Sequence, residues 1–169
     1  TWRPPASTAV HEVLETPDLS AIITEISSQS GWAAGNAMTI LFGHVSGSGV
    51  RWVESARENN GIMTPALEIS YFAATPPASN SAQFSVSGRP DGGEEDVGNG
   101  NMYLDSSDYE MMHDGSEQVV AVVFPSVDIE AGMSISNAYV LFDVDEVRPG
   151  QSDQDVTINI YGEANVSPA

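Results

Sequence analysis

The residues best suited to chemistry in this chain are carboxylates, and they fall in two tight groups. Asp91, Glu94 and Glu95 lie in a glycine-rich segment, and Asp105, Asp108 and Glu110 follow around a Ser106-Ser107 turn. Short loops dense in carboxylates and glycine suit Ca²⁺, which takes roughly six to eight oxygens at about 2.3–2.6 Å. Neither group has the Asp-x-Asp-x-Asp-Gly order of an EF-hand, so the expectation of calcium rests on composition. Solvated loop acids in an acidic chain are the competing reading. Asp143, Asp145 and Glu146 form a second candidate group at the end of an apolar run.

Other reactive residue types carry less. His11, His44 and His113 are scattered, without metal-ligand spacing, and read as ordinary histidines. No serine occupies a Gly-x-Ser-x-Gly elbow, so the Ser, His and Asp present suggest no triad. Carboxylate pairs of the kind glycosidases use cannot be picked out where acids are this common. No catalytic group is expected. Trp2, Trp32 and Trp52, with Tyr103 and Tyr109, are candidates for an interface or a sugar-stacking platform. Packing is the competing use for Trp32, after a helix, and for Trp52, in a strand. Met111-Met112 reads as packing, and Asn165-Val-Ser167 is a glycosylation sequon followed by Pro168.

Charge narrows the partners. Twenty-four Asp and Glu face five basic residues, all arginine, for a net charge of −19. Nucleic acid is excluded as a partner, because binding it needs cations against phosphates. Anionic membrane surfaces are disfavoured for the same reason. An acidic surface stays soluble in salt, where screening shortens below about 8 Å, and fits saline surroundings.

At 169 residues the chain suits one domain, or two at most. A chain of that length hides roughly 70% of its unfolded surface, enough for a core without staples. It has no cysteine, so neither disulfides nor thiolate chemistry contribute. No apolar run approaches the roughly 20 residues of a membrane span. A first residue of Thr rather than Met reads as a processed or excised chain and favours export.

The elements that must position these groups are mostly strands. One helix is predicted, with Thr16 as cap, Pro17 opening it, Asp18 in its first turn, and Leu19, Ile22, Ile23 and Ile26 on one face. It should run about three turns and end in the Ser/Gly stretch at 27–31. Strands are predicted at 37–43, 50–54, 66–72, 83–87, 102–104, 109–112, 119–124, 135–144 and 156–161, from alternation and turn punctuation. The class is mainly β: a jelly-roll-like antiparallel β-sandwich with one short α-helix. Residues 73–82, centred on Pro76-Pro77, read as a linker between a helix-containing half (1–72) and an acidic β half (83–169). Neither half covers its own apolar strands, so they should pack together or be shared between neighbouring subunits.

Certain segments resemble a large family of repeated β-sandwich domains in secreted and cell-surface proteins of marine and halophilic microbes, related to sandwiches of the carbohydrate-binding-module type. In the second half these are Asp91-Gly-Gly-Glu-Glu95, Met102-Tyr-Leu-Asp-Ser-Ser-Asp-Tyr-Glu110, Val122-Val-Phe-Pro-Ser-Val-Asp-Ile129, Ile135-Ser-Asn-Ala-Tyr-Val-Leu-Phe142 and Ile158-Asn-Ile-Tyr-Gly-Glu-Ala164. In the first half they are Trp2-Arg-Pro-Pro-Ala6, Thr16-Pro-Asp-Leu19, Gly31-Trp-Ala-Ala-Gly-Asn36, Arg51-Trp-Val-Glu-Ser55 and Pro65-Ala-Leu-Glu-Ile-Ser-Tyr71. In that family the acidic half comes first; here the order is reversed. A window from a tandem array, a circular permutant, or halves that complete neighbouring subunits would each explain the reversal. An array fragment would leave raw sheet edges, which favours the other two.

The resemblance and the charge together imply an extracellular or cell-surface structural subunit of a fibre, sheath or adhesin. Its partners would be copies of itself, joined head to tail by strand or sheet complementation, with Ca²⁺ stiffening acidic loops. The alternative is a non-catalytic carbohydrate-binding module, with polysaccharide as the partner.

Overall fold

The computed structural model describes residues 1–55, 63–72, 79–88 and 91–163. It is mainly β: two antiparallel sheets packed face to face, with one short helix. In chain order the elements are β1 (Val13–Glu15), α1 (Ser20–Ser27), β2 (Asn36–Gly47), β3 (Arg51–Glu54), β4 (Ala66–Phe72) and β5 (Ser79–Ser85). Then come β6 (Gly92–Asp96), β7 (Asn101–Tyr103), β8 (Asp108–Met111), β9 (Gln118–Val127), β10 (Ser134–Glu146) and β11 (Val156–Gly162).

One sheet pairs in the order β5-β4-β10-β3-β8, with β1 also on β10; the other runs β11-β2-β9-β6-β7. Strands from residues 1–72 and from residues 79–163 therefore alternate in the first sheet, and in the second β2 lies between β11 and β9, so both sheets draw on both halves of this one chain. The residues of the expected linker divide in two. Residues 73–78 lie outside the described set, whereas Ser79 to Ala82 open β5 and pair with Phe72 back to Ile69. Small polar residues do not prevent a strand when a neighbour supplies the ladder. The sequon at 165–167 also lies outside the described residues.

Alternation places the core. Met38, Ile40 and Phe42 of β2 and Val120, Val122 and Phe124 of β9 face inward from one sheet. Ala138, Val140, Phe142 and Val144 of β10 meet them from the other. Phe42 and Phe142 lie edge to face at 5.2 Å, and Trp2 stacks on Phe142 at 6.3 Å. Such aromatic contacts add stabilisation beyond the area they bury.

The helix departs from expectation at its start. It spans Ser20–Ser27, eight residues, with no side-chain cap. The Thr16 hydroxyl instead accepts from the Val140 N–H at 3.0 Å, and Asp18 accepts from Ala138 and Ser20 at 3.0 and 2.9 Å. Thr16 is the expected helix cap, but its hydroxyl serves a β10 amide, while Asp18, expected in the first turn, lies before the helix and joins β10 to the first helical residue. From there Ile23 and Ile26 bury the apolar face.

Among the described residues no helix is long and apolar enough to cross a membrane.

Candidate functional site

The expected calcium loops are resolved into different parts. The Gly92–Asp96 segment is strand β6, laddered between β7 and β9, rather than a loop. Its glycines serve close approach. A Cβ on Gly92 would fall 2.0 Å from the Tyr109 hydroxyl, and one on Gly93 would fall 2.7 Å from Leu104. At Gly92 the Ala121 carbonyl also lies 2.9 Å from the Cβ position, so this position needs glycine, whereas at Gly93 the half-exposed Leu104 side chain can move aside. Strand parity then turns Glu94 inward beside Val120, while Glu95 faces out opposite Met102.

Glu94, Asp108 and Glu110 come together where the end of one sheet meets the other. Glu94 is 3% exposed and accepts the Glu110 main-chain N–H at 2.7 Å. Its carboxyl also meets the side chains of Glu110 and Ser106. Burial, then the charges of Glu94 and Asp108, push Glu110 up to about 8. Burial raises Glu94 as well, so the pair shares a proton through the neutral range. Burial, followed by the charges of Glu94 and Asp91, raises Tyr109 far above the ordinary phenol range.

Chemically, this is a carboxyl–carboxylate hydrogen bond inside a seam. Glycosidase carboxyls stand about 5–9.5 Å apart to admit substrate or water. Here the two carboxyls touch, and the burial of Glu94 leaves no space between them. Asp91 sits apart, closing its own turn by accepting from the Ser87 N–H at 2.9 Å and hydroxyl at 2.7 Å. Asp105 is exposed on the following loop. Asp143 lies at the β1 pairing, and Glu146 accepts from Arg148 Nε at 2.8 Å. Among the described residues no three His, Asp or Glu side chains converge as a metal would require. The histidines stay separate; His44 Nδ1 lies 3.2 Å from a Glu117 carboxylate oxygen.

The tryptophans form no platform. Trp2, Trp32 and Trp52 are 4%, 6% and 2% exposed, so none offers a ring face to a sugar or a neighbour. Trp2 bridges Ile158 through both main-chain groups at 2.7 and 2.8 Å. Trp32 donates from Nε1 to the Ile129 carbonyl at 2.8 Å. The Arg148 guanidinium covers Trp52 at 4.4 Å, a cation–π contact. Tyr109 is buried in the core, and Tyr103 is half exposed on β7.

Arg51 lies in one of the segments that carry the family resemblance, but a lone arginine in a strand gives no signal of its own role in the sequence. It is 2% exposed and donates to the carbonyls of Pro5 (2.6 Å), Pro4 (3.1 Å) and Gln154 (3.1 Å). The N-terminal segment is thereby tied against the loop before β11. Burial lowers its pKa, partly offset by the charges of Asp155 and Asp153.

The sheet ends differ in how they are closed. β7 has three residues and β8 four, with the Glu110 N–H taken by Glu94. β11 is bridged by Trp2 at Ile158. β5 has seven residues, none charged and none proline, and pairs with β4 on one side. Among the described residues no strand pairs along the other side of residues 81–85. Compared with family models, curated proteins and solved structures, the chain matches none.

Proposed function

We propose that this chain is a non-catalytic structural module of an extracellular or cell-surface assembly, which joins copies of itself by strand addition at β5. The β5 edge carries this reading. Natural edge strands are guarded by charge, proline, shortness or a covering segment. β5, with the sequence Ser-Asn-Ser-Ala-Gln-Phe-Ser, has none of the first three. Its inner positions Ala82 and Phe84 are partly buried while Ser81, Gln83 and Ser85 are exposed, so an added strand would meet an uncharged ladder.

The guarding of the other ends supports an asymmetric, head-to-tail contact over a self-complementary one. Contacts of that kind build filaments when the rotation does not close. The net charge of −19 opposes close approach of copies, and Ca²⁺ enters the proposal as the counter-ion that offsets it. Support for export comes from the acidic, cysteine-free composition and the resemblance to secreted repeats.

Sedimentation velocity and negative-stain microscopy at physiological salt test the reading. Polymers are expected for the native chain, and monomers for a Ser81→Asp, Gln83→Glu double variant of unchanged melting temperature. A native chain that stays monomeric at high concentration, with and without Ca²⁺, would overturn it.

A further inference from the structure

The outer face of the five-stranded sheet carries a groove that strand addition at β5 leaves unused. Because Ile40, Val120 and Val122 point into the core, their neighbours Leu41, Ala121 and Val123 line the opposite face. Together with Met102 and Leu104 they form the apolar part of a groove of about 380 Å³. That size falls within the usual range for ligand sites.

One end of the groove is polar. Thr39 is 5% exposed, and its hydroxyl has no hydrogen-bond partner among the described residues. Glu163 donates its N–H to the Thr39 carbonyl at 3.0 Å, which makes the two residues cross-strand neighbours. Both line the groove. A buried hydroxyl left without a partner is costly unless a ligand supplies one. The groove thus presents methylene-sized apolar walls leading to a carboxylate and an unused hydroxyl.

We infer that this groove takes a lysine side chain of a different polypeptide, with its ammonium at Glu163 and Thr39 and its methylenes along Leu41, Ala121 and Val123. Charge complementarity selects the occupant: a chain of net −19 attracts cations and repels anions. The ammonium is a compact charge with three donors on an apolar stem, which matches one carboxylate, one hydroxyl and an apolar track. This chain has no lysine, so the donor is not a second copy of it. A peptide is favoured over a free amine by the surface beyond the groove. A recess of about 530 Å³, lined by Met102 to Ser106, shares the Met102 and Leu104 wall and gives a longer chain somewhere to run. Met102, Tyr103 and Leu104 are each about half exposed there.

Amide chemical shifts of the Ser81→Asp, Gln83→Glu chain are the readout, so that self-association does not interfere. The probe is an acetylated, amidated pentapeptide with a central lysine between two valines. Shifts are expected at Thr39, Leu41, Ala121, Val123 and Glu163. Affinity should fall at least tenfold with norleucine in place of the lysine, and likewise in Glu163→Gln. Equal binding of the norleucine peptide would overturn the proposal in favour of a purely apolar groove. Hexylammonium binding as tightly as the peptide would assign the groove to free amines and overturn the peptide partner. Absence of shifts with the lysine peptide would overturn the site itself.

Discussion

The main-chain N–H of Glu110 donates to the Glu94 carboxylate at 2.7 Å, so one side chain of the five-stranded sheet closes the end of the other sheet. A buried acid here does two jobs. It satisfies an edge N–H that would otherwise face a gap, and it holds β8 against β6 without a strand pairing between them.

That contact sets a pH dependence. Glu110 titrates at about 8 in the fold, whereas an unfolded glutamate titrates at about 4.3. The native chain therefore binds this proton more tightly than the unfolded chain between those values. Stability contributed by the protonated pair falls as pH rises from about 4.3 to about 8 and is then lost. On the acid side Asp18 acts in the opposite sense. Burial opposes its ionisation, but the Ala138 and Ser20 amides outweigh burial and hold it low, so its contribution is lost on acidification. Melting temperature is expected to peak at about pH 5. Glu110→Gln, which keeps a donor toward Glu94, should shrink the decline between pH 5 and 8, leaving the part due to the buried Glu94. A native profile flat across that interval would contradict the shared proton.

Thr16 and Asp18 yield a second expectation. If Thr16 served as the helix cap, replacing it would chiefly fray α1. Since both residues hold β10 amides, Thr16→Val should cost about 1–2 kcal/mol by leaving the buried Val140 N–H without its acceptor. Hydrogen exchange at Val140 should quicken in Thr16→Val, and at Ala138 in Asp18→Ala. Exchange confined to residues 20–24 would restore the capping role.

Arg51 anchors the N-terminal segment through three carbonyls outside its own strand. Arg51→Met should destabilise the chain by about 2 kcal/mol in urea unfolding, because the buried Pro4 carbonyl and the part-buried bonds to Pro5 and Gln154 lose their donor. Arg51→Lys should recover only part of the loss. An ammonium keeps the charge but lacks the planar fork that reaches Pro4, Pro5 and Gln154 together.

Assembly through β5 should depend on ionic strength. Copies of net charge −19 repel at low salt, and screening falls to about 8 Å at physiological salt, so polymer mass should rise across that range. At equal ionic strength Ca²⁺ should promote more sedimentable material than Na⁺, and chelator should reverse the difference. Polymer that dissolves as salt rises would contradict the reading.

Strands with their own alternation were legible without any coordinates. Residues 66–72 of β4 were read to the residue, and β9, β10 and β11 to within a few, because apolar period two is a local property. β1 and β6 were not. Val13–Glu15 is too short to show a period, and Gly92–Asp96 is a poor strand former that persists because β9 and β7 supply its ladders. The carboxylates were found by type, but their fates were not. Glu94 and Glu95 are adjacent and chemically alike, yet strand parity buries the first and leaves the second only partly covered on the opposite face.

By itself, the sequence determined the acidity, the absence of thiol chemistry, the β class and the single helix, since each follows from composition or short-range pattern. Only the tertiary structure decided that three tryptophans are core, that Thr16 and Asp18 serve β10, and that Glu94 closes the β8 edge. It also decided that among the described residues no strand pairs along the outer side of residues 81–85, and that Thr39 and Glu163 line one groove. The physical reason is common to all of these. Each depends on what lies across a sheet or between sheets, and partners 16 to 124 residues away leave no local trace in the chain.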